Sequence, residues 1–392
     1  MATETPPPPY VHASRRILPP QEDRKGEIRF RHPGYHGPIL NHLLSLPRVD
    51  CQDVNDTVVY GIHHKTALTA CQIIANNAFD TGYFALDQAG LHGVKVPLDG
   101  LLTEDQYFFI INGNHNYAVV PSFRDWRFPN EDIDRIWPNI SNGPDIIGSK
   151  CCVSGIGYAI NRAHLLPQEE QAWSEQNIMN DTTPAIDDIN NIILLRKDLH
   201  KCFDDRWFAI VPKKDPEGSD LYVTHILSSS AAQMWPTYHN VVVNQLSIES
   251  KAYVFARFAW AILLRTKQFV TRNVARQVIR RYINDEGEFE YTDERASGPL
   301  LKQLYGGGGT RNATPLKRKS APGDRDSDSW TSEIETDTDG SWPWEESMNR
   351  LDQSASDTVS DIGRALPEEV CKELAIAAAG VIAFQEKQEL EY

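Results

Sequence analysis

Four side chains near the middle of the chain have types and spacing that could do chemistry. His200 and Asp204 stand four residues apart in KDLHKCFDD, so on a helix both would project from one face. An imidazole nitrogen beside a carboxylate oxygen suits Zn²⁺, Mn²⁺ or a partly hydrated Mg²⁺. Taken alone, such a pair is ordinarily a hydrogen-bonded pair on a helix surface. His164 sits among Ala163, Leu165 and Leu166, apolar neighbours that would hold its ring on a rigid element, as a general base requires. Taken alone, it too is ordinarily a packed or surface residue. Asn191 precedes the apolar run Ile192-Ile193-Leu194-Leu195. Its carboxamide could bridge loop backbone groups and so fix the loop that carries His164.

The elements that must position these groups can be read from pattern. CCVSGIGYAINRAHLLP reads as a strand, a glycine turn and a second strand that holds His164. IILL reads as a buried strand. Before this module, DTVVYGI and GYFAL read as strands, and TALTACQIIANN as a helix with Thr66 as its N-cap. DQYFFIINGNHNYAVV reads as two strands joined at Asn112-Gly113-Asn114. The adjacent His63 and His64 read as surface or capping residues. LYVTHIL follows the module as a further strand. Residues 247–282 then read as a long helix or a broken pair, with Phe255, Phe258, Ala259, Ile262 and Leu263 as its apolar face. Arg265, Lys267, Arg272, Arg276, Arg280 and Arg281 follow with no acid among them. They read either as a solvated helical face or as a patch that tracks nucleic-acid phosphates, with Arg265, Lys267, Arg272 and Arg276 as its contacts.

Composition bounds the classes open to the chain. Hydrophobic residues make up 41% of the 392, enough for a real core and against wholesale disorder. No apolar run reaches the roughly 18 residues of a spanning helix, and the N-terminal stretch lacks the order of a secretory signal, so no membrane partner and an intracellular location are expected. The six cysteines include no CxxC pair, which argues for reduced thiols and against a four-cysteine zinc knuckle. The net charge of −15 is unevenly placed: residues 285–392 carry 24 acids against 11 bases, leaving the rest nearly neutral. Nucleic acid is therefore not excluded as a partner. Residues 1–25 read as a mobile arm and 285–366 as a disordered acidic linker. Residues 367–392 read as a last helix, with Pro367 in its first turn. Lys317, Arg318 and Lys319 form a basic cluster of the kind nuclear import uses.

At the four chemistry-bearing residues the sequence resembles the HNH endonuclease family, the ββα-metal nucleases, and most closely a branch common in fungal proteins. The family opens on Cys-x-x-[Ser/Thr]-Gly, which here falls at Ser154-Gly155 after Cys151-Cys152. It continues with Ala163-His164 before a short apolar run, then Asp188-Ile189-Asn190-Asn191-Ile192-Ile193-Leu194-Leu195, and closes on His200-Lys201-Cys202-Phe203-Asp204, one residue shorter than the family pattern. The resemblance implies that His164 is the general base and Asn191 the asparagine that orients its loop. It implies His200 and Asp204 as ligands to one divalent ion, Mg²⁺ or Mn²⁺ ahead of Zn²⁺, and DNA as the substrate. Many HNH enzymes carry a metal-ligating Asp or His just before the base; here that residue is Ala163. Asp187, Asp188, Asp198, Asp205 or water could supply the missing ligand.

The expected architecture is therefore α+β: an N-terminal α/β region (26–144), a central ββα-metal module (145–215), a strand and long helix (216–284), and the acidic tail. The expected function is metal-dependent hydrolysis of phosphodiester bonds in DNA. The competing expectation is a nucleic-acid- or partner-binding protein that keeps the scaffold without cleavage, which the alanine at position 163 favours.

Overall fold

Alternating apolar side chains in the first part of the chain build two small sheets around one helix. The computed structural model describes residues 26–140, 149–177, 179, 186–231, 234–284 and 289–306. Strands β1 (Glu27–Arg31), β2 (His42–Pro47), β3 (Asp50–Val54) and β4 (Thr57–His63) lead into helix α1 (His64–Ile74), and β5 (Gly82–Ala85), β6 (Leu101–Leu102) and β7 (Gln106–Ile111) follow. One sheet has the order β2-β1-β7-β5 and the other β3-β4-β6. The pair β1/β7 is parallel and the remaining pairs are antiparallel. Thr66 is not the cap of α1: His63 holds that position, and its ring lies 2.9 Å from the Thr66 hydroxyl. His63 and His64 are buried rather than on the surface. Gly113 adopts the positive φ that the turn requires, but Tyr117–Val120 does not return as a hairpin strand. Val119 instead pairs with Gln277 and Ile279, far along the chain.

The central segment continues through helix α2 (Ile133–Ile136), strand β8 (Ile160–His164), helix α3 (Gln171–Gln176), strand β9 (Ile192–Arg196), helix α4 (Lys197–Asp204) and the hairpin β10 (Phe208–Lys214) with β11 (Asp220–Ile226). The strand expected at Cys151–Val153 is a tight turn, closed by Gly155 N–H donating to the Cys151 carbonyl (2.9 Å). Gly155 supplies its positive φ.

After helix α5 (Trp235–Tyr238) comes helix α6 (Lys251–Leu263), in which every residue is buried. Apolar side chains all round the helix force that position. Phe255 packs in an aromatic cluster with Trp126, Phe128 and Trp137, and Trp126 stacks on Trp173 of α3. Of the two expectations for residues 247–282, a long helix or a broken pair, the chain forms a broken pair, and it ends at Thr271. A 3₁₀ turn at Leu264–Thr266 leads into α7 (Lys267–Thr271), and Asn273 takes a left-handed φ. Strand β12 (Arg276–Ile283) then pairs antiparallel with β13 (Phe289–Ala296), and helix α8 (Gly298–Tyr305) closes the described body.

The body thus runs to Gly306, past the boundary expected at 284. One arginine of the basic run meets an acid of β13: Arg280 donates to Glu294 (2.6 Å), and Gln277 donates to Asp293 beside it. The arm at 1–25, the basic cluster at 317–319, the linker from 307 and the helix expected over 367–392 lie outside the described residues. Among the described residues no helix is long and apolar enough to cross a membrane.

Gly298 sits where a Cβ would lie 2.2 Å from the Asn273 carbonyl carbon. Gly298→Ala is expected to lower the thermal midpoint, at a cost of about 1–3 kcal/mol, read by differential scanning calorimetry.

Candidate metal and catalytic site

Two strands and a helix meet at the site with almost no loop between the last two. Strands β8 and β9 pair antiparallel with His164 opposite Ile192 and Ile160 opposite Arg196. Helix α4 begins at the residue after Arg196. Its Leu199 and Phe203 are buried at helical spacing, which turns His200 and Asp204 outward onto one face. The His200 Nε2 and Asp204 Oδ2 atoms are 3.3 Å apart, with 22% and 54% of the side chains exposed. Asn161 of β8 brings its carboxamide to 3.5 Å from His200 Nδ1.

His164 ends β8 with its side chain 21% exposed, and its Nε2 lies 3.3 Å from Asp187 Oδ1. The loop behind it is held by Asn191, which is fully buried. Its Oδ1 accepts from Leu166 N–H (2.7 Å), and its Nδ2 donates to the Leu166 and Ile186 carbonyls (3.1 and 2.7 Å). The backbone bridge inferred for Asn191 is thus formed, two residues beyond His164.

Ala163 is fully buried opposite Ile193, so the chain's pleat turns that position into the core. Of the acids that could replace a ligand there, Asp198 is paired with Arg196 and Asp205 with Lys201. Asp188 caps the 3₁₀ turn at Asn190 N–H. Asp187 sits on His164. The donor set facing outward at His200 is therefore one imidazole, one carboxylate and the Asn161 amide. This partly exposed set suits a divalent ion that keeps part of its water shell.

Beneath it lies Arg257 of α6, 1% exposed. Its NH2 donates to the Phe203 carbonyl (2.5 Å) and stands 3.7 Å from Asp204 Oδ1, while its NH1 reaches the Leu165 carbonyl at 3.4 Å. The guanidinium also stacks on Phe203 and Trp260. Burial pulls its pKa down to about 9, with the Asp204 carboxylate acting the other way. It was not singled out in the sequence, although a lone arginine inside FARFAWAIL is the signal that marks it.

The arginines expected to meet nucleic acid part company. Arg276 is buried, stacked on Tyr35 and Phe269 and bonded to the Leu40 carbonyl (2.7 Å). Arg265 donates to the Arg206 carbonyl (3.3 Å), its pKa drawn down to about 10 by burial. Arg272 is half-buried beyond the end of α7. Lys267 lines a small open cleft with Arg124, Arg206, Glu170 and Trp260. A patch made of all four would need the continuous helix that the chain does not form.

Among the described residues, the three metal-capable side chains that gather within 4.8 Å are elsewhere: Asp50, His225 and His239. Here Lys213 Nζ stands 2.5 Å from Asp50 Oδ1, beside His239 at 2.8 Å and Asn240 at 3.1 Å. Burial alone would push the Asp50 carboxyl up, but the Lys213 ammonium and the His239 ring hold it well below the usual carboxylate range. The ammonium takes the place a metal cation would need, so this cluster fits a buried ion pair better than a metal centre. No sequence pattern marks it, because its members come from four separate segments.

Two stability measurements follow. Asn191→Ala leaves the buried N–H and carbonyl of Leu166 without their partner, each costing about 1–3 kcal/mol, and the urea midpoint is expected to fall accordingly. Asp50→Ala strands the Lys213 charge in the interior, for a loss of about 3–5 kcal/mol in the same assay.

Residues 151–211 match a family model described as HNH endonuclease. No curated protein and no solved structure matches the chain. The matched residues include the turn at Cys151, both strands, Asn191 and helix α4. Over residues 151–211 the chain is thus similar to the HNH endonuclease family.

Proposed function

We propose that the protein is a metal-dependent endonuclease that hydrolyses phosphodiester bonds in DNA, with β8, β9 and α4 as its ββα-metal module. The observation that carries this reading is the outward-facing His200–Asp204 pair on α4, in a segment that matches the HNH endonuclease model and also holds His164 and Asn191. His164 acts as general base. Asp187 accepts a hydrogen bond from Nε2–H and so favours that tautomer, which would leave the Nδ1 lone pair to take a proton from the attacking water. Asn191 keeps the turn after β8 rigid, so the imidazole does not swing away from the phosphate. His200 and Asp204 would hold Mg²⁺ or Mn²⁺, with Zn²⁺ as the other option. Bound there, the cation supplies charge stabilisation for the phosphorane and the leaving 3′-oxygen. Lys267 lines a cleft with Arg124, which faces Glu170 at 3.8 Å, and Arg206, which faces Glu169 at 3.7 Å, and would meet the flanking backbone there.

A second reading has its own observation. Ala163 points into the core where many HNH enzymes place a ligand, and three of the four nearby acids are engaged elsewhere. A nucleic-acid-binding protein that keeps the scaffold without cleavage accounts for that equally.

Plasmid nicking with Mg²⁺, Mn²⁺ or Zn²⁺ separates the two. The wild type is expected to nick in at least one metal, and His164→Ala to lose about 100-fold or more. A folded wild-type protein that binds DNA yet never nicks it leaves the binding reading in place.

A further inference from the structure

We infer that Arg257 is a positioning residue of this site: its guanidinium sets the Asp204 carboxylate against His200 and ties α4 to the backbone that leaves His164. Arg257 lies outside the matched segment, on a helix whose other contacts are mainly apolar. The role rests on the metal-dependent reading of His200 and Asp204.

The geometry divides the two oxygens of Asp204. Oδ1 faces Arg257 at 3.7 Å, and Oδ2 faces the His200 ring at 3.3 Å. A carboxylate held from one side by a fixed cation has less freedom to rotate away from the imidazole on the other. The same guanidinium donates to the last turn of α4 at Phe203 and reaches the Leu165 carbonyl, one residue past His164. Only a planar group with donors along several directions can serve both backbone groups and the carboxylate at once. The Phe203 and Trp260 rings, 3.7 and 4.5 Å from the guanidinium carbon, keep its plane in place. Asp204 is 54% exposed, so removing the guanidinium leaves its carboxylate in water, and a purely structural role for Arg257 would show in folding and not in metal affinity. A group that orients a ligand from behind typically costs about 10–100-fold in metal affinity when removed.

Arg257→Met and Arg257→Lys separate these roles. Folding is checked by circular dichroism and thermal melting, Mn²⁺ affinity is read by electron paramagnetic resonance, and plasmid nicking is measured at saturating Mn²⁺. Arg257→Met is expected to bind Mn²⁺ about tenfold more weakly and to lose kcat with KM for plasmid unchanged. Arg257→Lys, which keeps the charge but not the fork, is expected to fall between the two. Equal Mn²⁺ affinity in wild type and both folded variants overturns the role of Arg257 while leaving the endonuclease reading intact. If Arg257→Met does not fold, the comparison of wild type with Arg257→Lys decides in the same way. A wild type that binds no Mn²⁺ overturns the role of Arg257, whereas the endonuclease reading stands or falls on nicking in Mg²⁺, Mn²⁺ or Zn²⁺.

Discussion

A helix whose side chains are almost all apolar has to be surrounded, and α6 imposes that constraint on the molecule. All its residues from Lys251 to Leu263 are buried. Each large side chain contributes roughly 1.5–3 kcal/mol by leaving water, so the elements around it are held by the same burial. The aromatic residues at Phe123, Trp126 and Trp137, the Trp173 of α3 and the hairpin strand β10 all pack in the one core that contains it. The candidate site is built on top of that core and takes its rigidity from it.

The arrangement puts exposed chemistry on buried support. His164, His200 and Asp204 are partly open to solvent, whereas Asn191, Leu199, Phe203 and Arg257 directly behind them are not. Asn191 satisfies backbone groups that would otherwise be unpaired in a dry place, and that need makes its carboxamide specific. Arg257 does the comparable task for α4 with a charge, which costs desolvation but gives direction.

A second buried charge organises the junction between the N-terminal sheets and the hairpin that follows the site. Asp50 of β3, Lys213 of β10 and the His239–Asn240 pair converge there, and His63 N–H donates to Asp50 as well (2.7 Å). The hairpin that carries Lys213 follows directly on α4, so this ion pair fixes how the site segment sits against the first part of the chain.

Much of the local arrangement was legible because it depends on short-range pattern. His200 and Asp204, four apart, share one helix face, and the buried Leu199 and Phe203 beside them turn that face toward the edge of the core. The apolar run at 192–195 dictates a buried strand, and the carboxamide of Asn191 beside it had few partners other than loop backbone. The cysteine turn misread as a strand shows the limit, since Gly155 reverses the chain there. What tertiary structure alone decided are the interactions whose partners lie far apart: Asp50 with Lys213, 163 residues away, and Arg257 with Leu165 and Phe203, 92 and 54 away. It also decided that Arg276, Arg280 and Arg281 fall in a strand paired with β13, where Arg280 meets Glu294, rather than on one helical stripe with Arg265, Lys267 and Arg272. Periodicity reports which face of an element is apolar. It does not report which distant element covers that face, and burial against that partner settles whether a charge is offered to a ligand or kept inside.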